Sequence, residues 1–148
     1  SSTLVRQKLV EGDFAAVKRL LGRPYCIQGR VLHGQKLGRQ LGVPTANIQL
    51  KRRHAPLRGV YMVAAHLADG RVLPGVANIG MRPTVEQQNE IARLEVHLLD
   101  FSEDIYGQRL VVEFHRKLRE EEKFATLAEL QAAIEQDIAL ARKFWLIA

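Results

Sequence analysis

The sequence predicts a mainly-β domain, an antiparallel barrel or sandwich with one long helix docked at its C-terminal end. Three observations carry this. From Tyr25 onward, short runs of β-forming residues are separated by turn residues. The run 110–115, Leu-Val-Val-Glu-Phe-His, places apolar side chains at 110, 112 and 114 and polar ones at 113 and 115, the period-2 mark of a half-buried strand. After Ala125 the period becomes helical and stays so, and no helices alternate with the strands, which argues against a parallel sheet.

Taken in order, residues 3–11 form a helix that stops at Gly12, and Asp13 caps a second short helix that runs to Leu21 and ends at Gly22. Tyr25 to Leu32 is the first strand. Val60 to Ala68 and Arg71 to Ile79 form a hairpin, because Asp69-Gly70 between apolar runs favours a tight turn. Leu94 to Phe101 and Leu110 to His115 follow, with Ser102 to Gly107 as the turn between them. Thr126-Leu127-Ala128-Glu129 is a capping box. Beyond it Leu127, Leu130, Ile134, Ile138, Ala141 and Trp145 recur at helical spacing, so this helix must dock on the strands. No internal repeat or low-complexity tract interrupts the chain.

A chain of 148 residues fits one domain, and a domain of that size buries roughly 70% of the surface its unfolded chain exposes. Cys26 is the only cysteine. That excludes an intrachain disulfide, gives no zinc site by itself, and suits a reducing cytoplasm. No apolar run approaches the ~20 residues needed to span a bilayer, and no charged-then-apolar leader opens the chain, so a soluble protein without membrane contact is expected. Charge is uneven: residues 1–82 hold 14 Lys/Arg against 3 Asp/Glu (+11) and residues 83–148 hold 8 against 13 (−5), summing to +6. The basic half suits a polyanion, either a nucleotide's phosphate tail or nucleic acid. Lys51-Arg52-Arg53 reads as solvated surface.

The chemistry concentrates between Gly29 and Asn47. No Walker-type phosphate loop and no protein-kinase signature set is present. Gly29, Gly34, Gly38 and Gly42 supply backbone able to approach closely, and Lys36 and Arg39 add mobile positive charge, as a phosphate tail requires. The same glycines could simply make turns. Thr45 and Asn47 stand two positions apart, so in an extended segment a hydroxyl and an amide carbonyl share one face and can meet one hard cation. A polar turn is the other reading. Glu95 interrupts an apolar strand, as a proton acceptor would, with an ordinary outward position as the alternative, since Leu94, Val96 and Leu98 occupy the opposite face; His97 shares the face of Glu95 and reads as a satisfied structural histidine.

Pro44-Thr45-Ala46-Asn47 after this loop is followed, in order, by Asn78-Ile79-Gly80-Met81-Arg82-Pro83-Thr84, Leu94-Glu95-Val96-His97-Leu98-Leu99-Asp100-Phe101 and Leu118-Arg119-Glu120-Glu121-Glu122-Lys123-Phe124. Four ordered motifs across most of the chain resemble the riboflavin kinase family in its bacterial form. Ser1-Ser2-Thr3-Leu4-Val5-Arg6 resembles the last signature of the FMN adenylyltransferase module that precedes the kinase in bifunctional FAD synthetases. The resemblance implies a six-stranded antiparallel Greek-key β-barrel with a long C-terminal helix. It implies that residues 1–22 are a helical remnant or linker from that module and residues 23–148 the kinase domain.

The activity implied is ATP-dependent phosphorylation of the riboflavin 5′-hydroxyl to give FMN and ADP. In that scheme Glu95 is the general base. Gly34, Lys36, Gly38, Arg39, Thr45 and Asn47 bind ATP and its phosphates, Thr45 and Asn47 hold Mg²⁺, and Asn47, Asn78, Arg82 and Arg119 contact the flavin. The partners are riboflavin or FMN, ATP or ADP, and the adenylyltransferase module of a full-length chain, with no nucleic acid and no membrane. The His-x-Gly-His type signature is missing, so FAD synthesis is not expected and Arg6 should be idle. Two competing functions stay open at this point, a non-catalytic basic barrel that binds RNA and a flavin-binding regulatory domain.

Overall fold

The computed structural model describes residues 2–32, 45–48, 50, 56–83 and 90–147. Two helices, α1 (Ser2–Glu11) and α2 (Phe14–Leu21), open the chain, and their punctuation follows from local chemistry. Gly12 and Gly22 take φ of 76° and 77°, a left-handed conformation that a Cβ would oppose. Between them Asp13 accepts a hydrogen bond from the Ala16 N–H at 3.0 Å and caps α2.

Six strands follow: β1 (Cys26–Leu32), β2 (Thr45–Ile48), β3 (Gly59–His66), β4 (Val72–Pro83), β5 (Glu90–Leu98) and β6 (Arg109–Arg119), then the helix α3 (Leu127–Ile147). The strands close into a barrel in the order β1-β2-β5-β4-β3-β6, every neighbouring pair antiparallel. β3, β4 and β5 are consecutive neighbours and β6 returns beside β3, which is a Greek key. The predicted mainly-β barrel with its terminal helices is therefore the observed fold.

Strand ends depart from the periodicity for identifiable reasons. β5 stops at Leu98 because Asp100 adopts a φ of 53° and turns the chain. β6 runs four residues past His115 because two register shifts against β3, between Val60 and Tyr61 and between Met62 and Val63, break the period-2 signal without ending the pairing. Gly59 opens β3 at φ 131°, where an added Cβ would lie 2.8 Å from the Arg119 carbonyl oxygen. The cap of α3 is a displaced capping box: the Glu129 N–H donates to Thr126 Oγ1 at 3.2 Å, but the Glu129 carboxylate accepts from the Ala125 N–H rather than from Thr126.

Alternation fills the barrel with one core, including Ile48, Val63, Ala77, Leu94, Val96 and Val112. α2 closes one end, where Phe14 meets Tyr61 edge-on at 5.8 Å and stacks on Phe114 at 6.0 Å, and Leu9 and Val17 join the same cluster. A second core lies outside the barrel, where Val60, Met62, Val76 and Leu99 pack under Ala141, with Ile138, Phe144 and Trp145 of α3 at its edge. Leu127 is 54% exposed, so the first turn of α3 stands off the wall.

Tyr61 is 1% exposed, and its hydroxyl donates to the Arg58 carbonyl at 3.0 Å. Burial pushes its pKa up from 10.0 to about 12. A folded-state value raised above the unfolded one contributes stability that is complete below the unfolded pKa and lost as pH rises through the folded one. Urea unfolding should therefore show stability falling between about pH 10 and 12, with a smaller fall in Tyr61→Phe. An identical alkaline loss in that variant would assign the effect to other groups.

Candidate active site

β2, β5 and β4 lie side by side, and their register decides which side chains meet. Asn47 pairs with Glu95 across β2 and β5, and Glu95 pairs with Asn78 across β5 and β4. Their chain neighbours Ala46, Ile48, Leu94, Val96, Ala77 and Ile79 are buried in the barrel, so Asn47, Glu95 and Asn78 face outward in one row. Residues opposite one another on adjacent strands have Cβ atoms about 4.5–5.5 Å apart, close enough for all three to reach one small molecule. The row continues through Leu32 on β1 in one direction and through Val60 to Arg119 in the other.

A second row runs beside it, with Thr45 opposite His97 and His97 opposite Val76. Thr45 Oγ1 and His97 Nδ1 are hydrogen-bonded at 2.8 Å, and His97 is 9% exposed. Asn47, Glu95 and Asn78 are half-buried. Asn78 Oδ1 is itself buried, and no described group donates to it. An acceptor left in that condition costs about 1–3 kcal/mol, so the position favours a donor from elsewhere. The structure thus brings together Thr45, Asn47, Glu95 and Asn78, and adds His97. The sequence signal for His97 was its shared parity with Glu95.

Arg119 stands at the far end of the Asn47 row, and α3 holds it. Its Nε and Nη2 donate to the Asp137 carboxylate at 2.9 and 2.8 Å, Nη1 donates to the Glu120 carbonyl at 3.1 Å, and the guanidinium lies 5.7 Å from the Phe124 ring centre. The Asp137 carboxylate raises the pKa of Arg119 further above its usual value. Asp137 is only 4% exposed; it was missed because an acid on an amphipathic helix reads as solvated, although it stands three residues after Ile134 and four before Ala141. Arg82 lies in β4 opposite Ile91, and its side chain is outside the described residues, as are Gly34, Lys36, Gly38 and Arg39.

RNA binding through stacked bases finds no platform among the described aromatics of the basic half, because Phe14 and Tyr61 are core residues and Tyr25 packs on Phe114 at 6.0 Å. Among the described residues no group of three or more His, Cys, Asp or Glu side chains is placed to hold a metal ion. No described helix is long and apolar enough to cross a membrane.

Fold and geometry define a Greek-key barrel with polar groups gathered on one outer wall, partly roofed by a helix. A family model for flavokinase, riboflavin kinase, matches residues 21–145. The chain belongs to the riboflavin kinase family. It is 61% identical over 142 residues to a bifunctional riboflavin kinase/FMN adenylyltransferase from Pseudomonas fluorescens, covering 96% of this chain and 45% of that protein. A protein of the same description from Escherichia coli K12 is 48% identical over 145 residues, covering 98% and 46%. The chain therefore spans less than half the length of these relatives. Among solved structures, one described as a macrolide-efflux protein from Streptococcus pneumoniae has a TM-score of 0.83 at 34% identity, covering 96% of this chain and 46% of that one. Riboflavin kinase from Trypanosoma brucei has a TM-score of 0.61 at 24% identity, covering 82% and 76%, and shares the fold.

The Arg119–Asp137 pair gives a test of how α3 is fixed. The two side chains are 23% and 6% exposed, so Asp137→Asn should cost about 2–4 kcal/mol in urea unfolding, less than a fully buried pair because Arg119 keeps some solvent. A loss below about 0.5 kcal/mol would remove the pair from the docking of α3.

Proposed function

We propose that the chain transfers the γ-phosphoryl group of ATP to the 5′-hydroxyl of riboflavin, giving FMN and ADP. The observation that carries the proposal is the row Asn47–Glu95–Asn78, a carboxylate set between two amides on one wall. Glu95 takes the proton of the 5′-hydroxyl as its oxygen bonds to phosphorus, and the bond from phosphorus to the β,γ-bridging oxygen breaks toward ADP. Asn47, Asn78, Arg82 and Arg119 are the flavin contacts in this reading. The buried, undonated Asn78 Oδ1 supports its part, since the hydroxyls of a ribityl chain are donors.

Gly34, Lys36, Gly38 and Arg39 cradle the phosphates in the same reading. Thr45 and Asn47 would hold Mg²⁺, and their two neutral oxygens fit a hard cation that arrives with nucleotide phosphates rather than binding alone. Bound there, the ion would neutralise charge developing on the phosphates. Residues 1–22 then act as the connection to an adenylyltransferase module like that of the relatives, and the cytoplasm is the compartment proposed.

The first experiment is chromatography of a reaction with riboflavin, ATP and Mg²⁺. FMN should appear, and FAD should not form from FMN; absence of FMN would favour a flavin-binding regulatory domain. In Glu95→Gln, kcat should fall about 10²-fold or more with riboflavin affinity, followed by flavin fluorescence, little changed. Near-normal kcat in folded protein would remove Glu95 from the mechanism. Thr45→Ala and Asn47→Ala should each abolish most turnover with Tm near the parent value, whereas parallel loss of fold and activity would make both residues structural.

A further inference from the structure

We infer that Asp137 is a positioning residue whose buried carboxylate aims the Arg119 guanidinium at the isoalloxazine ring of the flavin. The inference rests on the reading of Arg119 as a flavin contact and goes beyond it. Arg119 reaches its place through an irregularity of β6. Tyr61 pairs with Lys117, so an unbroken ladder would set Val60 opposite Leu118, and the register shift sets it opposite Arg119 instead. Val60 pairs in turn with Asn78, which brings Arg119 into the line of Asn78 and Glu95. The chain beyond Arg119 returns toward the same wall: the Glu121 carboxylate fills the space that a side chain at Gly80 would need, two residues along β4 from Asn78.

A guanidinium carries five N–H groups in one plane. Nε and Nη2 each give one to the Asp137 carboxylate, at 2.9 and 2.8 Å, and Nη1 gives one to the Glu120 carbonyl at 3.1 Å. Two donors remain, one on each terminal nitrogen, with no acceptor among the described residues. Docking α3 does not by itself call for such a pair, because apolar side chains of like volume in place of a buried ion pair are often neutral or stabilising. What they cannot do is hold two N–H groups in a fixed direction. Along its line Arg119 stands three strand spacings from Glu95, roughly 14 Å at about 4.8 Å each. The 5′-oxygen and the incoming phosphate belong at Glu95 and Thr45, so what reaches Arg119 is the opposite end of the flavin, its ring. That ring presents carbonyl oxygens beside unprotonated nitrogens, acceptors that suit the two remaining donors.

The test compares riboflavin and FMN affinity, followed by flavin fluorescence, with ADP affinity in Mg²⁺, followed by calorimetry. The proteins are the parent, Arg119→Ala, Asp137→Asn, the Arg119→Ala/Asp137→Asn double variant and the Arg119→Leu/Asp137→Leu double variant. Arg119→Ala should weaken riboflavin and FMN alike, by about 10-fold or more. Asp137→Asn, which keeps the guanidinium but not its aim, should show most of that loss with ADP affinity essentially unchanged, and in turnover the loss should fall on KM for riboflavin more than on kcat. Adding Asp137→Asn to Arg119→Ala should cost no further flavin affinity, because Asp137 acts through that side chain. The leucine pair should hold α3 in urea about as well as the parent and still bind riboflavin as weakly as Arg119→Ala; if it fails to fold, the Asn and Ala variants decide. Parallel losses of flavin and ADP affinity, additive losses in the Ala/Asn variant, or parent-like riboflavin affinity in the leucine pair would overturn the inference and leave Asp137 a docking residue. A loss confined to FMN would put the two donors on the phosphate and overturn it as well. If Arg119→Ala binds riboflavin as the parent does, the reading of Arg119 as a flavin contact falls, and this inference with it; if Arg119→Ala binds weakly and Asp137→Asn normally, only the inference falls.

Discussion

The pairing of β2 with β5 is the constraint on which the rest of the molecule depends. β2 contributes four residues, all of them opposite β5, and two of them also pair with β1. Those few pairings close the barrel. They also set Asn47 beside Glu95 and Thr45 beside His97, so closure and assembly of the site are one event. Side-chain direction has a period of two, and a slip of one residue would turn Ala46 and Ile48 outward and bury Thr45 and Asn47 among Leu94 and Val96. Burying those polar groups without partners is unfavourable, so the hydrophobic core fixes the register that the site requires. The Thr45–His97 hydrogen bond is a further tie on the same pair of strands.

The outer wall is divided by its own composition. Val60, Met62 and Val76 make it apolar on one side, and α3 covers them, with the Arg119–Asp137 pair fastening the helix to the end of β6. On the other side the same two rows become Asn47, Glu95, Thr45 and His97, where an apolar helix face would have nothing to bury. The polar groups therefore lie outside the apolar patch that α3 covers. Bulges in β6 serve this arrangement: by breaking alternation near its end they bring Leu118 to the α3 cluster while Arg119 reaches Asp137.

Much of this was legible in the residues. Asp13, Gly12, Gly22 and the Asp69-Gly70 turn carry local rules that tertiary packing did not overrule. The parity of 94, 96 and 98 against 95 and 97 gave the two faces of β5 correctly, and the outward direction of Glu95 is what sets it beside Asn47 and Asn78. β2 was not placed: the resemblance implied a sixth strand without locating it, and Thr45 to Asn47 read equally as an extended segment or a polar turn, because four residues are too few for a period to declare itself. Asp137 was invisible because helical periodicity sorts residues by hydropathy, whereas its place in the buried face depends on a guanidinium eighteen positions earlier in the chain. Pairing across strands, such as Asn47 with Glu95, is a long-range relation that no local pattern encodes.

A crystal structure of the chain with FMN and Mg·ADP bound tests the central claim most directly. The account predicts the flavin's ribityl chain along the Asn47–Glu95–Asn78 row, with its 5′-oxygen in hydrogen-bond reach of the Glu95 carboxylate and the metal on the Thr45 and Asn47 oxygens. A flavin bound on another wall of the barrel, or a metal held without Thr45 and Asn47, would contradict it.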